Sequence, residues 1–175
     1  MNKINKNNLI RIDDRLIHGQ VVVGWASHLN PKYIILVDND IAADIFEKEL
    51  YLMGVPEEYE GMALSVRECT SFIKSLGKLQ KKGYEERYII VVKNPEVAYQ
   101  LFKFGLNFSN LNIGGMHASE NKKEFNRFVY VDENDLKYFR LLAEVDNPKI
   151  DITIQDLPSE NKVSLNKLLE KFENE

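Results

Sequence analysis

The sequence predicts an open, mainly parallel α/β sheet of about seven strands, with helices on both faces. Three observations lead there. Short apolar runs rich in β-branched residues alternate with longer segments of helical period. Two of those runs, Tyr33–Val37 and Tyr88–Val92, are apolar at all five positions, as strands buried on both sides require. Alternation of this kind calls for parallel strands joined by right-handed crossovers.

The elements follow in chain order. Polar residues 1–7 read as a disordered tail ahead of one domain spanning 8–172. Strands are expected at 9–12, 33–37, 62–66, 88–92, 111–113, 128–131 and 150–154. After the first, Val22, Trp25, Ala26 and Leu29 recur at i, i+3, i+4 and i+7, which gathers them on one helix face. Phe46, Leu50 and Met53 repeat the pattern, as do Leu165, Leu168, Leu169 and Phe172. Asp132 precedes the Leu136, Phe139, Ala143 stripe as a helix N-cap. Residues 56–61 and 107–110 read as loops, and 116–127 as a longer polar loop of the sort that often carries function.

Composition narrows the function. The 175 residues are 44% hydrophobic, which excludes a disordered chain. With 23 basic against 27 acidic side chains, the net charge of -4 argues against bulk electrostatic binding of nucleic acid. Cys69 is the single cysteine, so neither an intrachain disulfide nor a cysteine metal clip can form, and a reducing compartment fits best. The longest aliphatic runs are five residues, against about twenty for a membrane span. Lys3 and Lys6 imitate a signal peptide's start, but Arg11, Asp13 and Asp14 break the apolar stretch that should follow. A soluble, cytoplasmic domain is expected.

Open parallel sheets bind ligands beyond the carboxyl ends of their strands, near the point where strand order reverses. That selects loops 13–19, 93–95 and 114–117. The first places Arg11, Asp13, Asp14, Arg15 and His18 within eight residues, between a strand and an amphipathic helix. So much charge cannot be buried cheaply and must face solvent or a site. His18 falls near the helix start, where N–H groups favour an anion. Arg15 adds a permanent fork matched to phosphate, and neutral histidine keeps a nucleophilic nitrogen. Together these describe a phosphoryl-accepting histidine in a cationic cradle. The plainer alternatives are a capping histidine and an ion-pair cluster on a solvated rim. A histidine phosphatase would carry Arg directly before His-Gly, where Ile17 stands here, and no GxxxxGK[ST] occurs.

The run Arg11-Ile12-Asp13-Asp14-Arg15-Leu16-Ile17-His18-Gly19-Gln20-Val21 strongly resembles the active-site segment of the enzyme IIB components of the mannose/fructose/sorbose family of the bacterial phosphotransferase system (PTS). Trp25 follows at the family's usual distance. The segment 37–44 looks like the family's second-strand region, with Asn39 where a second acidic residue is usual. Lys93-Asn94-Pro95 and Asn112-Ile113-Gly114-Gly115-Met116 resemble its Asn-Pro and Gly-Gly-Met signatures. Residues 8–172 are covered.

The resemblance implies a type-4 (mannose/sorbose-type) EIIB domain that takes a phosphoryl group from a IIA phosphohistidine. It would pass that group to a sugar imported through membrane IIC and IID components, which makes it a peripheral, cytoplasmic transferase. His18 matches the family histidine, phosphorylated on Nδ1, and Arg15 the arginine facing the phosphoryl group. Arg11, Asp13 and Asp14 share the loop, an aspartate orienting Arg15 or the imidazole. Gly19 either leaves room for close approach or is simply a convenient loop residue. Lys93 and Asn94 either line a docking surface or open a helix. Gly114 and Gly115 either present N–H groups beside the first loop or end a strand for steric reasons. No cofactor, metal or nucleic-acid partner is implied. A regulatory IIB-like binding module and a histidine-dependent phosphatase are the rival readings. Sugar identity and oligomeric state are open.

Overall fold

Aliphatic five-residue runs build the middle of a seven-stranded sheet in this computed structural model, which describes residues 8–80 and 86–173. The expected tail 1–7 and part of the lysine-rich run 78–82 lie outside the described residues. β1 (Leu9–Asp13) pairs in parallel with β4 (Tyr88–Val92) on one side and β5 (Asn110–Gly115) on the other. β2 (Tyr33–Val37) and β3 (Glu60–Leu64) extend one flank, and β8 (Asp151–Ile154) and β9 (Val163–Ser164) the other. The order is β3-β2-β4-β1-β5-β8-β9, parallel except for the β8–β9 pair. The expected open, mainly parallel α/β sheet with helices on both faces is therefore present.

Each face has its own core. Ile10, Ile12, Ile35, Ile90 and Ile113 point to one face, covered by α4 (Val66–Gln80), α5 (Pro95–Lys103), α6 (Glu133–Ala143) and α7 (Leu165–Glu173). Ile34, Leu36, Ile89 and Val91 point to the other, with Leu16, Ile17, Val22 and Trp25 packed on them. The strand period of two explains the split. The second face is covered only in part. A π-helix (Gln20–Trp25) runs into α1 (Ala26–Leu29), and beyond it lie α2 (Asn39–Ala43) and α3 (Ile45–Leu52). Over β5 and β8 that face carries Asn112, Gly114, Thr153 and Gln155 instead of aliphatic residues.

Three expectations need correction. The run 128–131 does form a strand, β7 (Val129–Val131), but outside the main sheet. It pairs with β6 (Lys123–Asn126) in a two-stranded hairpin inside the segment read as loop, and Met116, just past β5, ties that hairpin to the main sheet by exchanging backbone hydrogen bonds with Phe128 and Tyr130. The main sheet's seventh strand is β9. The third strand starts at Glu60, within another expected loop, and stops before Val66. Ser65 and Glu68 form reciprocal hydrogen bonds there, a capping box that opens α4. Phe46, Leu50 and Met53 share a helix face as expected, and that face points to solvent.

Other signals hold. The Asp132 carboxylate accepts from the Asp135 N–H at 2.8 Å and caps α6. Cys69 is fully buried on α4, where desolvation pushes its thiol up to about 12 and keeps it inert. Asp38, at the end of β2, caps α2 through the N–H groups of Asp40 and Ile41 and meets Lys93 of the β4 end at 2.6 Å. Burial pushes the Asp38 carboxyl up, but Lys93 and the two N–H groups outweigh it and hold the group below its ordinary value. A carboxylate with a depressed folded pKa stabilises above its unfolded pKa and stops doing so as pH falls through the folded one. Asp38→Ala should thus cost about 1–2 kcal/mol at neutral pH, measured by urea unfolding. That penalty should shrink below about pH 4, where wild type loses the charge too.

Candidate functional site

Alternation along β1 decides the site. Ile10 and Ile12 enter one core, so Arg11 and Asp13 point to the opposite face, where β5 and β8 offer polar atoms. Both side chains are 0% exposed. Arg11 donates through Nη1 to Asn112 Oδ1 at 2.6 Å and to the Gln155 carbonyl at 3.1 Å, and through Nη2 to Asp13 Oδ2 at 2.9 Å. Asp156 Oδ1 lies 3.7 Å from Nη2, and the Trp25 ring is 5.6 Å from the guanidinium carbon. Burial lowers the Arg11 pKa and Asp13 opposes the shift, so the cation persists.

The floor under Arg11 is Gly114. A Cβ there would sit 1.8 Å from the Arg11 guanidinium carbon, so only glycine fits. At Gly115 a Cβ would come within 3.2 Å of both Arg15 Nη2 and Asp13 Oδ1, and its carbonyl accepts from the Asp14 N–H at 3.1 Å. Both glycines thus pack closely under the charged cluster.

From Asp13 the charge chain runs outward. Asp13 Oδ1 accepts from Arg15 Nε at 3.1 Å, and Oδ2 from Arg15 Nη2 at 3.2 Å. Arg15, 36% exposed, reaches Gln20 Oε1 at 2.5 Å. The turn closes when the Leu16 N–H donates to the Asp13 carbonyl at 3.0 Å. Leu16 then adopts a left-handed backbone, φ 58°, which costs a non-glycine residue about 1–2 kcal/mol and is offset by burying its side chain. That conformation brings the Leu16 carbonyl within 2.8 Å of His18 Nδ1. His18 Nε2 faces Gln20 Oε1 at 3.3 Å and Asp13 Oδ2 at 3.7 Å. The imidazole is 19% exposed, so one edge stays open to a partner. The π-helix follows at once, a wide turn often found at functional sites.

Asp14 turns away from His18. Its two oxygens grip His117, Oδ2 accepting the backbone N–H and Oδ1 lying against Nδ1, both at 2.6 Å. The aspartate that orients Arg15 is therefore Asp13, while Asp14 ties the first loop to the loop after β5. Lys93 is engaged by Asp38, and Asn94 caps α5 through the Val97 N–H at 3.0 Å. Among the described residues no hydrogen bond or ion pair joins either to Asp13, Arg15 or His18. Gly19 has ordinary helical angles and nothing within 4 Å of a Cβ position.

Sequence reasoning did not single out Gln20 and Asp156. Gln20 contacts Arg15 and His18 and donates to Asp156 Oδ2 at 2.9 Å, and the Asp156 carbonyl accepts from Trp25 Nε1 at 2.9 Å. The only signal was the polar run at the end of the last long strand.

A histidine among arginines and aspartates, at the carboxyl end of a central parallel strand, defines an open α/β group-transfer domain. Among the described residues no helix is long and apolar enough to cross a membrane. A family model described as the PTS system sorbose subfamily IIB component matches residues 7–175. The N-acetylgalactosamine-specific phosphotransferase enzyme IIB component 1 of Escherichia coli K12 is 31% identical over 154 residues, covering 88% of this chain and 92% of that protein. The mannose-specific EIIAB component of the same strain is 31% identical over 166 residues, 94% of this chain but only 49% of that protein. The crystal structure of the IIBSor domain of the sorbose permease from Klebsiella pneumoniae superposes with a TM-score of 0.80 at 27% identity, covering 95% of this chain and 96% of that one. The chain belongs to the sorbose subfamily of PTS IIB components. It is a component of a sugar phosphotransferase system and a transferase of phosphoryl groups.

The two glycines respond differently to a methyl group. Gly114→Ala should destabilise the fold by about 1–3 kcal/mol or more, by overpacking against Arg11. Gly19→Ala should leave stability within about 1 kcal/mol of wild type. Urea unfolding of both variants checks the pair.

Proposed function

We propose that His18 accepts a phosphoryl group from a IIA phosphohistidine and delivers it to a sugar entering through membrane IIC and IID components. The observation that carries this reading is the chain Arg11–Asp13–Arg15, which ends in a half-exposed guanidinium beside a partly exposed imidazole. In the first step the P–N bond to the IIA histidine breaks as a P–N bond to His18 forms. Arg15 balances the charge on the phosphoryl oxygens, and Asp13 fixes its orientation. Arg11 supports Asp13 from the dry side and touches no substrate. The mannose relative, named as an EIIAB component, supports a IIA partner.

Transfer to Nδ1 needs one local change. In the resting loop Nδ1 faces the Leu16 carbonyl at 2.8 Å, so that carbonyl must withdraw before the lone pair can attack. The imidazole proton then belongs on Nε2, where Gln20 Oε1 accepts it at 3.3 Å and the Asp13 carboxylate lies 3.7 Å away. The left-handed Leu16 is the point at which the loop gives. Open space over Gly19 leaves the incoming donor unobstructed. In the second step the sugar hydroxyl oxygen bonds to phosphorus as the P–N bond to His18 breaks; its proton passes to solvent water and His18 leaves as neutral imidazole. The domain works on the cytoplasmic side, held to the membrane only through its partners.

His18→Ala should accept no phosphate from phosphorylated IIA, and retained labelling would sink the assignment. Arg15→Gln should slow the transfer by about 10²–10³-fold, as loss of one charge-stabilising donor does. Phosphorus NMR of the protein labelled with ¹⁵N-histidine should show the P–N coupling at Nδ1. Coupling at Nε2 would mean the resting geometry itself is the reactive one.

A further inference from the structure

α3 presents its apolar stripe to solvent. Phe46 is 75% exposed, Leu50 58% and Met53 82%, with Ile45 beside them at 77%. The spacing i, i+4, i+7 sets Phe46, Leu50 and Met53 in one line along the helix. The other side of the helix packs through Tyr51 and Leu52 onto the core beneath the first loop. Just past its end, the Cβ position of Gly54 lies 3.7 Å from Ile17 Cγ2, next door to His18. The apolar stripe thus borders the loop that carries the phosphoryl group. Large apolar side chains gathered on a soluble domain mark a contact surface.

The rim of this surface is acidic. Segment 38–60 carries eight acidic side chains against the single Lys48. Asp38 is buried, and the other seven, from Asp40 to Glu60, are exposed. That charge selects among occupants. An anionic lipid leaflet is repelled. A second copy of this chain would set one acidic rim against another, which costs affinity. A partner with an apolar centre and a basic rim fits. Cytoplasmic loops of membrane proteins carry an excess of lysine and arginine, so a permease presents that chemistry on the side this domain can reach.

We propose that the α3 face docks the cytoplasmic surface of the IIC/IID permease during delivery of the phosphoryl group to sugar. The inference rests on the phosphocarrier reading above and deepens it by naming the surface used in the second step. The acidic rim steers encounter and the Phe46–Leu50–Met53 line supplies the short-range contact. Methionine and leucine at its centre adapt to a partner that binds and releases at each cycle.

Two double variants test the proposal, Phe46→Ser with Met53→Ser and Glu47→Lys with Glu49→Lys. Both change solvent-exposed positions, and unfolding curves matching wild type verify the fold. Each is assayed for phosphorylation by phosphorylated IIA and for sugar phosphorylation in native membrane vesicles bearing the IIC and IID components. The IIA step should stay within about twofold of wild type. The amount of IIB giving half-maximal sugar phosphorylation should rise about tenfold or more in each variant. In wild type that amount should also rise with salt, and in the lysine variant it should respond less. Unchanged behaviour in vesicles would overturn the proposal. So would slowing of the IIA step alone, which would assign the face to IIA. Loss of a wild-type dimer in ultracentrifugation would assign it to self-association instead. Wild type that takes no phosphate from IIA would refute the phosphocarrier reading itself, and the docking site with it.

Discussion

One carboxylate shared by two guanidinium groups organises this protein. Asp13 is wholly buried, and Arg11, equally buried, answers it from the interior side. Either charge alone at that depth would cost several kcal/mol, so each makes the other tolerable. A buried pair of this kind adds little net stability over well-packed apolar residues, and its value lies in fixing one arrangement. Asp13 has both oxygens committed to Arg15 as well, which leaves that side chain little freedom. Gln20 receives the free edge of Arg15 and reaches across to Asp156. Geometry is thereby transmitted from a dry sheet face to an imidazole at the surface without a flexible link.

The asymmetry of the sheet makes this possible. One face is aliphatic from β2 to β8 and packs four helices. The other is aliphatic only over β2 and β4, and turns polar over β5 and β8, where Asn112 and the Gln155 carbonyl receive Arg11. The end of β8 then folds back, so that Asp156 meets Gln20 by its side chain and Trp25 by its carbonyl. The first loop of the chain and the segment after its last long strand therefore hold each other in place.

Most of the fold was legible because strand and helix periods are local properties. Tyr33–Val37 and Tyr88–Val92 could hardly be anything but central strands, and Asp132 marked its helix by chemistry confined to four residues. Failures fell where partners decide. β6 is a polar tetrapeptide that becomes a strand only because Val129 and Val131 lie opposite. The Phe46, Leu50, Met53 line has a buried helix's spacing, and nothing in spacing says whether sheet or solvent lies beyond it. In the site, charge density around His18 was plain to read, and the carboxyl-end rule selected the loop where Arg11, Asp13, Arg15 and His18 come together. Gln20, Asp156 and the division of labour between Asp13 and Asp14 were not, since they depend on which residues from β5 and β8 stand across the gap.

The missing side chain at Gly114 carries a consequence for which substitutions this domain can accept. The space that a methyl group would fill is already taken by a guanidinium from the neighbouring strand. Positions 11 and 114 thus form one steric unit split between two places in the chain. A side chain at 114 is admitted only where position 11 gives up its guanidinium, and that exchange would strip Asp13 of its inner partner. Glycine at 114 is therefore required by a guanidinium that lies wholly inside the fold.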